Sequence, residues 1–72
     1  MTKLNLDETK QYDADYTADN GHTWQAGSTG NCAAMVEADV ASADQNGHTV
    51  TVDGQTVVID HGHSQMRWTP QT

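Results

Sequence analysis

Phenylalanine is absent from this chain, and cysteine and proline each occur once. The lone Cys32 excludes an internal disulfide and leaves a free thiol or an intermolecular bridge. Basic residues are nearly as scarce: Lys3, Lys10 and Arg67 are the only three, and none lies between Gln11 and Met66. Nucleic-acid binders carry basic patches, so direct DNA or RNA binding is not expected. No apolar run approaches the ~20 residues that cross a bilayer, so no membrane partner is expected either. The stretch Met1–Asp7 lacks the apolar segment of a signal peptide, which makes the cytoplasm the default location.

Large apolar side chains are also few. Leu, Ile, Val, Met, Trp, Tyr and Cys together number 17 of 72 residues. Burying one such side chain stabilises by roughly 1.5–3 kcal/mol, while ordering the chain costs about 1.5 kcal/mol per residue. A single domain over residues 1–72 with a thin core is expected, its ends at 1–8 and 70–72 frayed. Small folds of this kind often lean on a partner or a second copy, which leaves a homodimer open.

The chain is instead rich in acids. Ten carboxylates, eight of them Asp, give a net charge of −7. Such a field repels polyanions and attracts basic protein surfaces. Adaptation to high salt is an alternative source of the same composition.

Periodicity points to hairpins. Tyr12, Ala14, Tyr16 and Ala18 alternate with Asp13, Asp15, Thr17 and Asp19, the period of a strand. Asp19-Asn20-Gly21 is turn chemistry, and residues 22–26 are the expected return strand. Residues 48–60 form the clearest element. A two-residue turn at Asp53-Gly54 is expected to pair Val52 with Gln55, Val50 with Val57 and His48 with Ile59. A last strand runs from Ser64 to Thr69, ended by Pro70.

Residues 31–44 read two ways. As a strand, Cys32, Ala34, Val36, Ala38 and Val40 would face inward. Alanine content, an N-cap at Asn31 and a stop at Gln45-Asn46-Gly47 favour a helix. Its stripe would hold Cys32, Met35, Val36, Val40 and Ala43, with Asp39 intruding as a defect. The expected fold is therefore α+β: a small antiparallel sheet of two hairpins plus a final strand, with one helix packed on it. An all-β meander is the alternative. The segment Ala18–Thr23 is echoed by Ala43–Thr49, a shared turn solution rather than a repeat array.

Candidate chemistry is sparse. Cys32 near a helix start is the one candidate nucleophile, but a lone cysteine usually serves as a small hydrophobe. Gly27-Ser28-Thr29-Gly30 lacks the Lys of a phosphate loop. No catalytic residue, cofactor or metal ligand set is assigned, and the chain is not expected to be an enzyme. If the strand ran past Ile59, His61 and His63 would approach His48, so a metal- or ligand-binding module is the runner-up. Tyr12, Tyr16, Trp24 and Trp68 are read as core. The acids carry the favoured reading. Asp13, Asp15 and Asp19 line one segment, and Glu37, Asp39 and Asp44 line the next. Rows of carboxylates can imitate a phosphate backbone, so these six are the candidate partner-binding residues. The expectation is a non-catalytic acidic interaction module, of the kind a phage or mobile element uses as an inhibitor. Its partner would be a basic protein surface, such as that of a nucleic-acid-binding protein.

Overall fold

A computed structural model of the chain describes residues 2–71. Strand β1 (Gln11–Thr17) is followed by two short edge segments, β2 (Gln25–Ala26) and β3 (Asn31–Cys32). Helix α1 (Ala33–Gln45) comes next, then β4 (Thr49–Asp53), β5 (Thr56–Asp60) and β6 (Gln65–Pro70). The sheet is antiparallel throughout, in the order β2-β1-β6-β5-β4, with β3 also beside β1. The α+β fold is the observed one, with α1 laid on one face of the sheet.

The last strand is central rather than appended. β6 pairs with β1 through Asp13↔Thr69, Ala14↔Trp68 and Tyr16↔Met66, and with β5 through Val57↔Trp68 and Ile59↔Met66. Side chains alternate across a pleated sheet. One face therefore carries Tyr12, Ala14, Met66, Trp68, Val57 and Ile59, all buried under Ala33, Val36, Val40 and Ala43 of α1. The other face carries Asp13, Asp15, Arg67, Thr69 and Val58 and has no helix over it.

The second hairpin keeps its faces but not the expected register. Val52 pairs with Val57, and Val50 with Ile59, so β5 is displaced by two residues along β4. A type I′ turn at Asp53-Gly54 needs positive φ at both central residues. Only Gly54 has it, at +61°, and it is the first residue of a Gly54-Gln55 loop. An even shift preserves the pleat, so Val50, Val52, Val57 and Ile59 stay on one face. It also moves His48 from opposite Ile59 to opposite His61.

The first hairpin opens wider than expected. Asn20 and Gly21 take positive φ (59° and 89°) as turn residues should. The return strand nevertheless starts only at Gln25. The Asp19 carboxylate captures Thr23 through its N–H (2.9 Å) and its hydroxyl. Trp24 turns onto the Arg67 guanidinium, 4.1 Å from ring centroid to carbon.

Helix α1 is capped one residue later than expected. Cys32 is the N-cap and makes no side-chain capping bond, while Asn31 donates its amide to Tyr12 O and Ser28 Oγ. Cys32 and Met35, both expected inside, are exposed, and Ala33 takes the inward place. The helix closes in a Schellman arrangement: His48 N–H bonds Ala43 O at 2.9 Å and Gly47 N–H bonds Asp44 O at 3.2 Å.

Of the segments expected to fray, Met1 and Thr72 lie outside the described residues. Thr2 bonds Asp44 through both its N–H (2.8 Å) and its hydroxyl (2.7 Å). Leu4 and Leu6 pack against the core, and Asp7 N–H donates to Tyr12 Oη at 2.8 Å. At the other end Gln71 N–H bonds Gln11 O at 2.8 Å. No helix among the described residues is long and apolar enough to cross a membrane.

A Cβ at Gly54 would meet no atom within 4 Å, so substitution there probes backbone strain alone. Gly54→Val is expected to cost about 1–2 kcal/mol, because a β-branched residue resists positive φ. A lowered melting temperature checks this; an unchanged one would relocate the turn.

Candidate functional site

The six candidate carboxylates do not form one surface. The sheet divides them. Asp13 and Asp15 stand on its uncovered face, beside Arg67, Thr56 and Thr69. Asp19 sits in the loop after β1. Glu37, Asp39 and Asp44 belong to α1, on the opposite side.

Most of them are also engaged inside the molecule. Asp13 Oδ1 accepts from Gly30 N–H (3.2 Å) and from the Gln71 amide (2.7 Å). Asp15 pairs with Arg67 at 3.1 Å, both side chains about a quarter to a third exposed (25% and 33%). A pair this wet contributes at most about 1 kcal/mol. Asp44 holds Thr2 as described, and these bonds, the Thr2 N–H first, lower its pKa from the ordinary value. Asp7 is lowered likewise by the Thr9 hydroxyl and N–H. Asp19 is lowered furthest, from 3.8 to about 2, chiefly by the Thr23 hydroxyl, then the Thr17 hydroxyl and the Thr23 N–H. A hydrogen bond to the charged form favours it. Glu37 is exposed, at the edge of a shallow cleft that it shares with Asp44, Leu4 and Thr2.

Asp39 is the carboxylate that helical spacing places as a defect in the apolar stripe. It accepts the indole N–H of buried Trp68 at 2.9 Å. The intruding charge is thus the partner that a buried tryptophan requires. No family model, curated protein or solved structure matches the chain. The site therefore stands on its own geometry.

That geometry includes a groove which the sequence did not mark. It runs between α1 and the β1–β6 end of the sheet, lined by Tyr16, Met35, Ala38, Asp39, Met66 and Trp68. Tyr16 shares the inner face of β1 with Tyr12 and Ala14, yet it is 46% exposed, and Met35 is 54% exposed. These are the two large apolar residues on the surface of the described chain. Tyr16 is braced from below: a Cβ on Gly27 would meet its Cε2 at 2.2 Å. Period-two alternation put Tyr16 inside because it does not report how far the helix reaches. Helical spacing places Met35 on the stripe with Val36 and Val40, but the face that the sheet covers is centred on Ala33, Val36, Val40 and Ala43, and Met35 lies outside it.

Two outcomes are expected. Asp39→Ala leaves the Trp68 N–H buried without an acceptor, which costs about 1–3 kcal/mol in a urea melt, and Asp39→Asn recovers part of it. Because the Asp19 pKa is depressed, its stabilising effect is complete above 3.8 and is lost as pH falls toward about 2. Acid unfolding of Asp19→Asn should therefore be flatter over that interval than that of the parent chain.

Proposed function

We propose that this protein is a non-catalytic interaction domain that docks a basic, partly apolar segment of another protein in the Tyr16–Met35 groove. The carrying observation is the juxtaposition there of an exposed tyrosine, an exposed methionine and the Asp39 carboxylate, on a chain of net charge −7. Aromatic residues and methionine are enriched at interfaces, and tyrosine is a frequent hot spot. Methionine adapts its shape to a partner.

The electrostatics support a basic partner. The donors that hold Asp7, Asp13, Asp19, Asp39 and Asp44 are neutral hydroxyls, amides and an indole. Such donors fix a carboxylate without cancelling its charge. Arg67 is paired with Asp15 and covered by Trp24. Lys3 and Lys10 are confined to the first ten residues. The field around the groove therefore speeds encounter with cationic surfaces and weakens as salt rises. Occupying a partner's nucleic-acid-binding surface by steric and electrostatic blockade is the mode of action this favours. A continuous row of six carboxylates imitating a phosphate backbone is not part of the proposal, since the sheet separates them.

Titrating isotope-labelled protein with a Lys/Arg-rich amphipathic peptide tests the reading. Amide shifts are expected at Tyr16, Met35, Asp39 and Met66, fading with added salt. Tyr16→Ser with Met35→Ser should weaken binding roughly thirtyfold or more, as hot-spot loss does, without lowering the melting temperature. Shifts spread over the whole surface, or equal response to an acidic peptide, would refute it. A melting temperature rising steeply to molar KCl, with no peptide binding, would favour salt adaptation instead.

A further inference from the structure

His48 and His61 bring their Nδ1 atoms to 3.1 Å, with the rings edge to face and centroids 4.6 Å apart. They lie one step beyond Thr49↔Asp60, the last pair of the β4–β5 ladder. Each backbone is held independently of its ring. His48 is the residue whose N–H completes the Schellman close of α1, and His61 N–H bonds Ser64 O at 2.9 Å. Among the described residues, the two rings have only each other as side-chain hydrogen-bond partners.

Two facing imidazole nitrogens need something between them, either one shared proton or one shared cation. The spacing suits a cation. Nitrogens each ~2.0–2.1 Å from one ion stand roughly 2.9 Å apart at a right angle and roughly 3.4 Å apart at the tetrahedral angle. The observed 3.1 Å falls between. The surroundings are electronegative as well. Helix α1 ends beside His48 with no basic residue in its last turn, so its own sequence sets no cation against the negative end of the helix dipole. Asp60 borders the same shallow depression, together with Gly47, Thr49 and Gly62.

We propose that His48 and His61 form a two-nitrogen surface site for an imidazole-seeking divalent cation such as Zn²⁺ or Cu²⁺, with water completing the coordination. The site differs from the three-histidine arrangement of the runner-up reading: among the described residues no third His, Cys, Asp or Glu joins a cluster able to hold a metal. His63 stays in the turn, exposed. The ion would clasp the end of α1 to the β4–β5 hairpin and exchange freely with solvent. This proposal is independent of the groove, which lies at the β1–β6 end.

Zinc chloride titrated into the full chain, followed by the ring-proton signals of all four histidines, tests it without any variant. His48 and His61 are expected to shift together and saturate at one ion per chain, while His22 and His63 stay in place. The saturated protein should melt at a higher temperature than the metal-free one, since the ion binds the folded state. His48→Ala and His61→Ala should each weaken binding by roughly tenfold or more, about 1.4 kcal/mol, and His22→Ala and His63→Ala should leave it unchanged. Where an alanine variant unfolds, the Gln variant at the same position replaces it. Equal movement of all four histidines, or no saturating shift of the pair, would overturn the assignment.

Discussion

Trp68 stands where the three parts of the molecule meet. In the plane of the sheet it pairs with Ala14 on one side and Val57 on the other, so it joins the first strand to the second hairpin. Above the sheet its ring lies under α1, and its indole N–H reaches Asp39 on that helix. A buried indole donor without a partner is costly, and Asp39 is the residue that removes the cost. The helix is uncapped at its start by any side chain and buries only Ala33, Val36, Val40 and Ala43. Its position on the sheet depends on this one polar contact and on the valines and alanines around it.

The remaining polar bonds follow the same logic. In a chain with so little apolar volume, Asp side chains do work that larger proteins give to packing. Asp44 ties down the N-terminal segment, Asp19 organises the loop after β1, and Asp13 joins the edge segment and the C-terminal tail to β1. These are neutral–anion bonds, so the acidity is both structural and available as a field. That dual role bears on the proposed function. The carboxylates that organise the fold need not be those that touch a partner; the groove supplies the contact and the net charge supplies the attraction.

Much of the architecture was legible in the residues. The helix was marked by alanine and by its Gly47 stop, the second hairpin by alternating β-branched residues, and the last strand by Met66 and Trp68. What was not legible came from packing between distant segments. The hairpin register shifted by two residues because both alignments bury the same valines, and turn backbone geometry selected one. Tyr16 and Met35 lie at the margin of the helix, and periodicity within a strand or a helix cannot say where a neighbour stops. The echoed segments show the limit well: Gly21 and Gly47 both take positive φ (89° and 74°), yet one lies in a hairpin loop and the other closes a helix.

Local chemistry alone, then, determined the hairpins, the inward residues of the second hairpin and the sign of the charge, and it favoured a helix over a strand at 31–44, because pleat, propensity and ionisation depend only on residue type and spacing. Tertiary structure decided which strand is central, how β4 and β5 align, that Asp39 meets Trp68, that His48 meets His61, and that the acids fall on opposite sides of the sheet. Each of these depends on contacts between residues far apart in the chain, whose geometry is set by the joint packing of the helix and the strands.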